Sequence, residues 1–408
     1  MCFLPDLGRL DSALVSLWRG SFGLRPQDDG RPGVTCFSRW RRPGVTGFSR
    51  WQGSESILVW DAGLDYKPGV SCSFFCQGPK LESKAESIAS AHLNTSADAL
   101  PRVGPKVPEA SWRDYFQLTK PTISMLVVVT AVPAMLMPAM RGTGTAGATL
   151  PVALAALFGT WLASASASVF NHLLDHDVDM NMGRTRGRPL PSGRVSNRKA
   201  FWFATILGVV SWLILDRFAS SVSAWTAVAA NAFYVLVYTA FLKRRTVQNI
   251  VIGGAAGAVG PLIGWAACTN DLGWVSAWPA WVLFAIIFLW TPPHFWALAI
   301  KYKADYAAAH IPMMPVVRGD AVTRWQMLLY TISLVPAVGS LYWFGAAGLI
   351  YMIPSMFLTL LFVRYAWRLW LTGENSLAMP LFHYSCFYLF GIFGSLTADR
   401  LLNVAGLV

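Results

Sequence analysis

Charge is scarce in this chain. Of 408 residues only 13% are Asp, Glu, Lys or Arg, while 54% are hydrophobic and 19 are tryptophan. That balance excludes both an ordinary soluble globule and a solvated polyelectrolyte, and leaves the membrane class. Cysteine is scarce as well. The six cysteines form no CxxC or Cys/His spacing; Cys72 and Cys76 lie four apart without partners of the right kind. Neither a disulfide framework nor a structural zinc site is expected. The first 110 residues lack any apolar run long enough to cross a bilayer, and no internal repeat runs through the rest.

What is present from residue 121 onward is a series of apolar runs near the 20 residues that span about 30 Å of hydrocarbon. They fall at roughly 121–140, 149–170, 201–216, 222–242, 249–268, 275–299, 326–343, 345–363 and 381–397. Lipid leaves no partner for an unpaired amide, so unbroken runs of this length select helices over barrel strands. The expected fold is therefore all-α, a multi-pass transmembrane helical bundle of about nine helices, occupying residues 111–408. Small residues in GGAAGAVG, 253–260, allow the fifth helix a close neighbour.

The basic residues orient this bundle. Arg184, Arg186, Arg188, Arg194, Arg198 and Lys199 lie between runs two and three, Lys243, Arg244 and Arg245 between four and five, Lys301, Lys303, Arg318 and Arg324 between six and seven, and Arg364 and Arg368 between eight and nine. All these loops share one side, which the positive-inside rule turns toward a bacterial cytoplasm or a mitochondrial matrix. The net charge of +12 thus follows membrane topology, and no nucleic-acid partner is expected.

Residues 1–110 read as a separate leader. A tandem near-repeat, RPGVTCFSRW at 31–40 and RPGVTGFSRW at 42–51, precedes a stretch rich in Ser, Ala and Glu. Two origins stay open: a mitochondrial transit peptide, against which Asp6, Asp11, Asp28 and Asp29 count, and translation from an early start codon. Either way the segment is expected to be mostly disordered and without chemistry.

The chemistry is expected where charge bursts out of apolar sequence, in NHLLDHDVDMNMGRTRGRPL at 171–190. Asn171, Asp175 and Asp179 recur every four residues, which on a helix stacks their oxygens along one face. Such a column of hard ligands suits Mg²⁺, held by few carboxylates and completed by substrate phosphates. Arg184 and Arg188, also four apart, suit the same phosphates. A second polar cluster, WTPPHFWALAIKYKADYAAAHIPMMPVV at 290–317, closes the sixth run on the same side. It offers Asp305 as a further metal ligand and Lys303 as a diphosphate contact. The competing bland readings are a self-neutralising solvated loop for the first cluster, snorkelling lysines for the second, and a packing histidine at His294.

Residues 112 to 400 resemble the UbiA-type intramembrane prenyltransferases, and within them the heme-farnesylating branch. The matching stretches are LTKP at 118–121, NHLLDHDVD at 171–179, Met182, RT at 184–185, RPL at 188–190, YT at 238–239, LKRRT at 242–246, NIVIGGAAGA at 249–258, PLIGW at 261–265, PHFWALAI at 293–300, KADY at 303–306 and IPMMPVV at 311–317. The NxxxDxxxD pattern marks the superfamily; PHFWALAI with KADY and IPMMPVV marks the branch. The resemblance implies farnesyl transfer from farnesyl diphosphate to the 2-vinyl group of heme b, giving heme O. It implies Mg²⁺ on Asn171, Asp175, Asp179 and Asp305, phosphate contacts from Arg184, Arg188 and Lys303, closure by Tyr306, and heme contact at His294. It also implies heme A synthase as a partner. Four positions depart from the family pattern: Lys301 stands where many members carry an aspartate, His310 stands where glycine is common, and His172 and His176 have no matching role. An aromatic acceptor such as 4-hydroxybenzoate, or transport of an anionic lipid, are the rival functions.

Overall fold

The computed structural model describes the backbone of residues 34–42, 45–53 and 72–76, and residues 110–138, 149–183 and 185–405 in full. The chain divides into two units, Met1–Gly104 and Pro105–Val408. In the first, β1 (Val34–Arg42), β2 (Val45–Gly53) and β3 (Cys72–Cys76) form an antiparallel sheet of order β2-β1-β3. The two copies of the tandem repeat pair with each other, Arg42 opposite Val45 and Val34 opposite Gly53. The expectation of a mostly disordered leader did not include this sheet. Its VTxFSRW segments are rich in the β-branched and aromatic residues that favour strands.

The second unit is helical throughout its described residues. Its helices are α1 (Trp112–Leu118), α2 (Pro121–Leu136), α3 (Leu150–Leu174), α4 (His176–Asn181), α5 (Asn197–Phe218), α6 (Ser221–Ala232, continued as a π-helix over Phe233–Leu242), α7 (Asn249–Gly257), α8 (Gly260–Thr269), α9 (Trp278–Lys301), α10 (Lys303–Ala308), α11 (Met314–Val317), α12 (Gly319–Trp343), α13 (Leu349–Thr372) and α14 (Ala378–Val404). Among the described residues seven passes are long and apolar enough to cross a membrane, and there are eight if α1 and α2, bent by 51°, count as one span. The expected seventh run is present as the 25-residue α12 but is less apolar than the others. Nine is therefore approximate as a count of spans by composition.

Hydrogen bonds sort the connections onto two faces, as the charge pattern requires. On one face Arg194 reaches Asp114, Lys243 reaches Asp175, and Asp320 joins Lys303 to Asn375. On the other, Val222 N–H donates to Asn270, and Asp399 accepts from the backbone of Gly348 and Tyr351, capping the otherwise unpaired N–H groups that start α13. The loops that alternate along the sequence thus meet partners on their own side only.

Lipid gives helices no hydrophobic reason to associate, so close backbone approach matters. The run expected to approach a neighbour is split into α7 and α8, and glycines on both pieces lie against partners. A Cβ at Gly260 would come within 2.6 Å of Val127 O, and one at Gly264 within 2.4 Å of Ala131 O. Those two glycines, spaced GxxxG, seat α8 on α2. The main core gathers around α9, α12, α13 and α14, with Trp296, Tyr351, Tyr388 and Phe362 fully buried.

Candidate active site

The oxygen column begins within α3 and outlives it. The helix stops at Leu174, Asp175 takes φ −91° and ψ 4°, and α4 resumes at His176. One continuous helix was expected. The i to i+4 ladder nonetheless carries through: Asp175 N–H donates to Asn171 O at 3.0 Å and Asp179 N–H to Asp175 O at 2.8 Å. Asn171, Asp175 and Asp179 therefore stay stacked, and all three are buried.

Each column residue is met by a cation from a different part of the chain. Lys120 Nζ donates to Asn171 Oδ1 at 2.6 Å. Lys243 Nζ donates to Asp175 Oδ2 at 2.6 Å. Arg188 Nη1 bridges both oxygens of Asp179 at 2.8 and 2.9 Å. Asn171 Nδ2 ties the column together, donating to Asp175 Oδ2 at 2.8 Å and to Thr239 Oγ1 at 3.2 Å. Asp175 Oδ1 is buried without a hydrogen-bond partner. Burial works against the charge on Asp179, and the Arg188 contact overrides it, holding the carboxyl below its ordinary range. His172 Nδ1, 3.7 Å from Asp179 Oδ2, is beyond hydrogen-bond reach.

Local structure explains why these cations arrive. The π-helical turn over Phe233–Leu242 shifts the backbone register, so that Thr239 Oγ1 donates to Tyr234 O and Lys243 N–H to Tyr238 O, each five residues back. That register presents Thr239 to Asn171 and Lys243 to Asp175. Lys120 sits at the bend between α1 and α2, with φ 47° and ψ 62°, directly before Pro121. A left-handed non-glycine residue there costs about 1–3 kcal/mol and is held by its surroundings.

Lys120 also stands at the mouth of a cleft that descends between α2, α3, α6 and the α7–α8 pair. Its walls include Val127, Ala167, Asn231, Tyr234, Gly257 and Ile263. The cleft is narrow, mostly apolar, and opens sideways past the exposed Ile123. A lysine that is bonded to the oxygen column, and an apolar slot lined by that same lysine, suit an amphiphile with an anionic head and a hydrocarbon tail.

The second cluster lies on the same membrane face, and Asn249 Nδ2 reaches Pro312 O across it at 3.5 Å. Its residues are otherwise occupied. Lys303 Nζ is paired with Asp320 Oδ1 at 2.9 Å, where a diphosphate contact was expected. Tyr306 is buried and Asp305 half-buried on α10. The polar face expected to run on from α9 is broken, because α9 ends at Lys301 and α10 starts afresh at Lys303. No group of three His, Cys, Asp or Glu residues converges on one point among the described residues, so Asp305 does not join the column in this arrangement. Arg184 lies outside the described residues.

His294 sits seven residues before Lys301 in α9, about 10 Å of helix rise from that face. Its ring stacks between Trp290 at 4.3 Å and Phe382 at 4.6 Å. Ser385 Oγ donates its one proton to Phe382 O at 2.6 Å, so at 2.7 Å from His294 Nδ1 it accepts. The network assigns the proton to Nδ1 and leaves Nε2 with its lone pair. Its contacts run to α14, away from the Asn171 column.

Sequence reasoning quoted LTKP, YT and LKRRT as matching stretches without giving Lys120, Thr239 or Lys243 a task. The missing signal was tertiary: only folding shows which lysine faces which oxygen.

Fold and site together define an intramembrane prenyltransferase: residues 127–391 match the UbiA prenyltransferase family, and the chain belongs to it. It is similar to the protoheme IX farnesyltransferase of Gloeobacter violaceus, 46% identical over 314 residues that cover 77% of this chain and 98% of that protein. The protein of the same name from Synechococcus elongatus is 46% identical over 290 residues, 70% of this chain and 88% of that one. Among solved structures, a digeranylgeranylglyceryl phosphate synthase in membranes superposes with a TM-score of 0.58 at 16% identity, covering 71% of this chain and 98% of that one. An apo UbiA homolog from Aeropyrum pernix K1 gives 0.55 at 16% identity over 69% and 98%. At such identity these structures speak for the fold alone.

Proposed function

We propose that the chain transfers the farnesyl group of farnesyl diphosphate to the 2-vinyl group of heme b, forming heme O. The observation that carries this reading is the buried Asn171–Asp175–Asp179 column, joined through Lys120 to an apolar cleft that Lys120 lines, in a chain whose relatives named protoheme IX farnesyltransferase are 42–46% identical to it. In the reaction the C1–O bond of the farnesyl diphosphate breaks and diphosphate leaves. C1 bonds to the terminal vinyl carbon, the oxygen of water bonds to the inner vinyl carbon, and the water's proton is released.

The residues present fit Mg²⁺. Two carboxylates and an amide oxygen are hard donors, and the unpartnered Asp175 Oδ1 is a free ligand position. Bound there, the ion supplies charge neutralisation for the departing diphosphate. The family resemblance would add Asp305 as a further ligand, which α10 would have to bring toward the column, with Tyr306 helping to close the site.

The chain's own groups perform the rest. Arg184, Arg188, Lys243 and Lys303 bind and orient the phosphates; their fixed positive charge favours heterolysis over a neutral alternative. The apolar cleft walls hold the tail and keep bulk water from the allylic carbon until the vinyl group has reacted. His294 would meet the heme, its ring held by Ser385 in the manner that orients a ligating imidazole.

The polar face would turn toward the cytoplasm of a bacterium, the protein residing in the inner membrane, or toward the matrix if the leader directs it to the mitochondrial inner membrane. Heme A synthase is the proposed consumer of the product. Membranes supplied with farnesyl diphosphate, Mg²⁺, heme b and 4-hydroxybenzoate together test the reading. Mass spectrometry is expected to find heme O; prenylated 4-hydroxybenzoate with unchanged heme b would overturn it.

A further inference from the structure

The oxygen column is neutralised from within, and the three cations that do so come from separate elements. Lys120 precedes α2, 51 residues from Asn171; Lys243 follows α6, 68 residues from Asp175; Arg188 lies in the loop after α4. Their contacts saturate the oxygens of Asn171, one oxygen of Asp175 and both of Asp179. Only Asp175 Oδ1 stays open.

We propose that Lys120, Lys243 and Arg188 act as place-holders, so that divalent ion and diphosphate load as a unit rather than in sequence. The inference rests on the reading that this column holds the ion. Two carboxylates face three cations, which leaves one positive charge in excess. A divalent ion arriving alone either raises the excess to three with these cations still in place, or turns them out of a buried site without new partners, and both leave unpaired charge, which is expensive there. A diphosphate ester, with roughly three negative charges, cancels that excess and gives the displaced side chains new partners.

The donor count points the same way. The column supplies two carboxylates, and no third His, Cys, Asp or Glu joins them among the described residues. Mg²⁺ held by so few protein groups takes its remaining ligands from phosphate oxygens and water. The ion is then held tightly only when the anion comes with it.

Lys120 gives this exchange a direction. Its left-handed backbone before Pro121 points the ammonium at Asn171 while the same residue lines the mouth of the apolar cleft. Released from Asn171, it meets the diphosphate where head group gives way to tail. Lys120 and Lys243 are positioning residues for the metal as well as contacts for the anion. Because coupling is reciprocal, pyrophosphate binding must depend on the ion by the same factor as ion binding depends on pyrophosphate.

The test uses the purified full chain in nanodiscs, Mn²⁺ as the ion and inorganic pyrophosphate as the anion, with protein-retained Mn²⁺ measured after ultrafiltration. Pyrophosphate is expected to lower the Mn²⁺ concentration for half-saturation by at least about tenfold, a coupling of about 1.4 kcal/mol. Lys120→Met and Lys243→Met should each bind Mn²⁺ alone more tightly than the parent and shrink the gain from pyrophosphate; Lys243→Arg, which keeps the charge, should preserve it. Melting temperatures confirm that each variant is folded. Equal Mn²⁺ affinity with and without pyrophosphate in the parent, or an unchanged ratio in both methionine variants, overturns the place-holder mechanism while leaving the metal site standing. A different failure marks the underlying reading: no Mn²⁺ retained under either condition, or Asp175→Asn retaining it like the parent, removes the metal site and the proposal with it.

Discussion

Lys243 Nζ lies 2.6 Å from Asp175 Oδ2, although 68 residues separate them in sequence. This contact closes the loop after the fourth pass over the end of the second, and it makes the face proposed to hold the metal self-supporting. Removing one partner of such a buried pair leaves the other uncompensated, at a cost of about 3–5 kcal/mol.

Metal removal should therefore separate activity from stability. Chelation by EDTA is expected to stop heme O formation while shifting the melting temperature by less than about 2 °C, the change that under 1 kcal/mol makes in a chain of this size. Circular dichroism during the melt checks it. A collapse of the fold on chelation would mean that the internal cations do not neutralise the column.

Close helix approach predicts a graded glycine series. Gly264→Ala drives a Cβ to 2.4 Å from Ala131 O, a backbone atom that cannot step aside. Loss of about 1–3 kcal/mol is expected. At Gly257 an added Cβ meets nothing within 4 Å, so Gly257→Ala should be neutral or stabilising. Thermal unfolding in detergent compares the two, and equal effects would remove the argument for α2–α8 contact.

The clasp around Asp320 gives a pH dependence of definite sign. Burial opposes its charge, but hydrogen bonds from Lys303 and Asn375 hold its carboxyl below the usual value of 3.8. A depressed carboxylate stabilises the fold above that value and loses its contribution as pH falls through the lower, folded-state value. The melting-temperature gap between the parent and Asp320→Asn should be widest above pH 5 and close toward pH 3. A gap that widens on acidification contradicts the assignment.

Much of this architecture was legible because apolar run length and loop charge are one-dimensional signals. Runs read at 149–170 and 249–268 appear as Leu150–Leu174 and Asn249–Thr269, and basic loops assigned to one side are hydrogen-bonded there. What sequence hid depends on backbone geometry. The π-helical register that delivers Lys243, the break at Asp175 inside an apparently regular 4-residue pattern, and the pairing of Lys303 with Asp320 all follow from tertiary competition for charge. The strands within the leader were missed because a repeat was read by composition alone.

His310 shows both sides of this. The family resemblance carries the expectation that glycine is common where this chain has His310, and the residue adopts φ 55°, in the left-handed region. A Cβ there costs about 1–2 kcal/mol, and more for a β-branched residue. His310→Gly should hold or raise the melting temperature, whereas His310→Val should lower it. The reverse order would show that the imidazole makes a compensating contact.

The most direct measurement is heme O formed per mole of inserted protein by Asp175→Asn, in membranes given heme b, farnesyl diphosphate and Mg²⁺. The account predicts a loss of at least about 10²-fold with normal insertion, since charge stabilisation of the leaving group disappears. Heme O formation equal to that of the parent would contradict it.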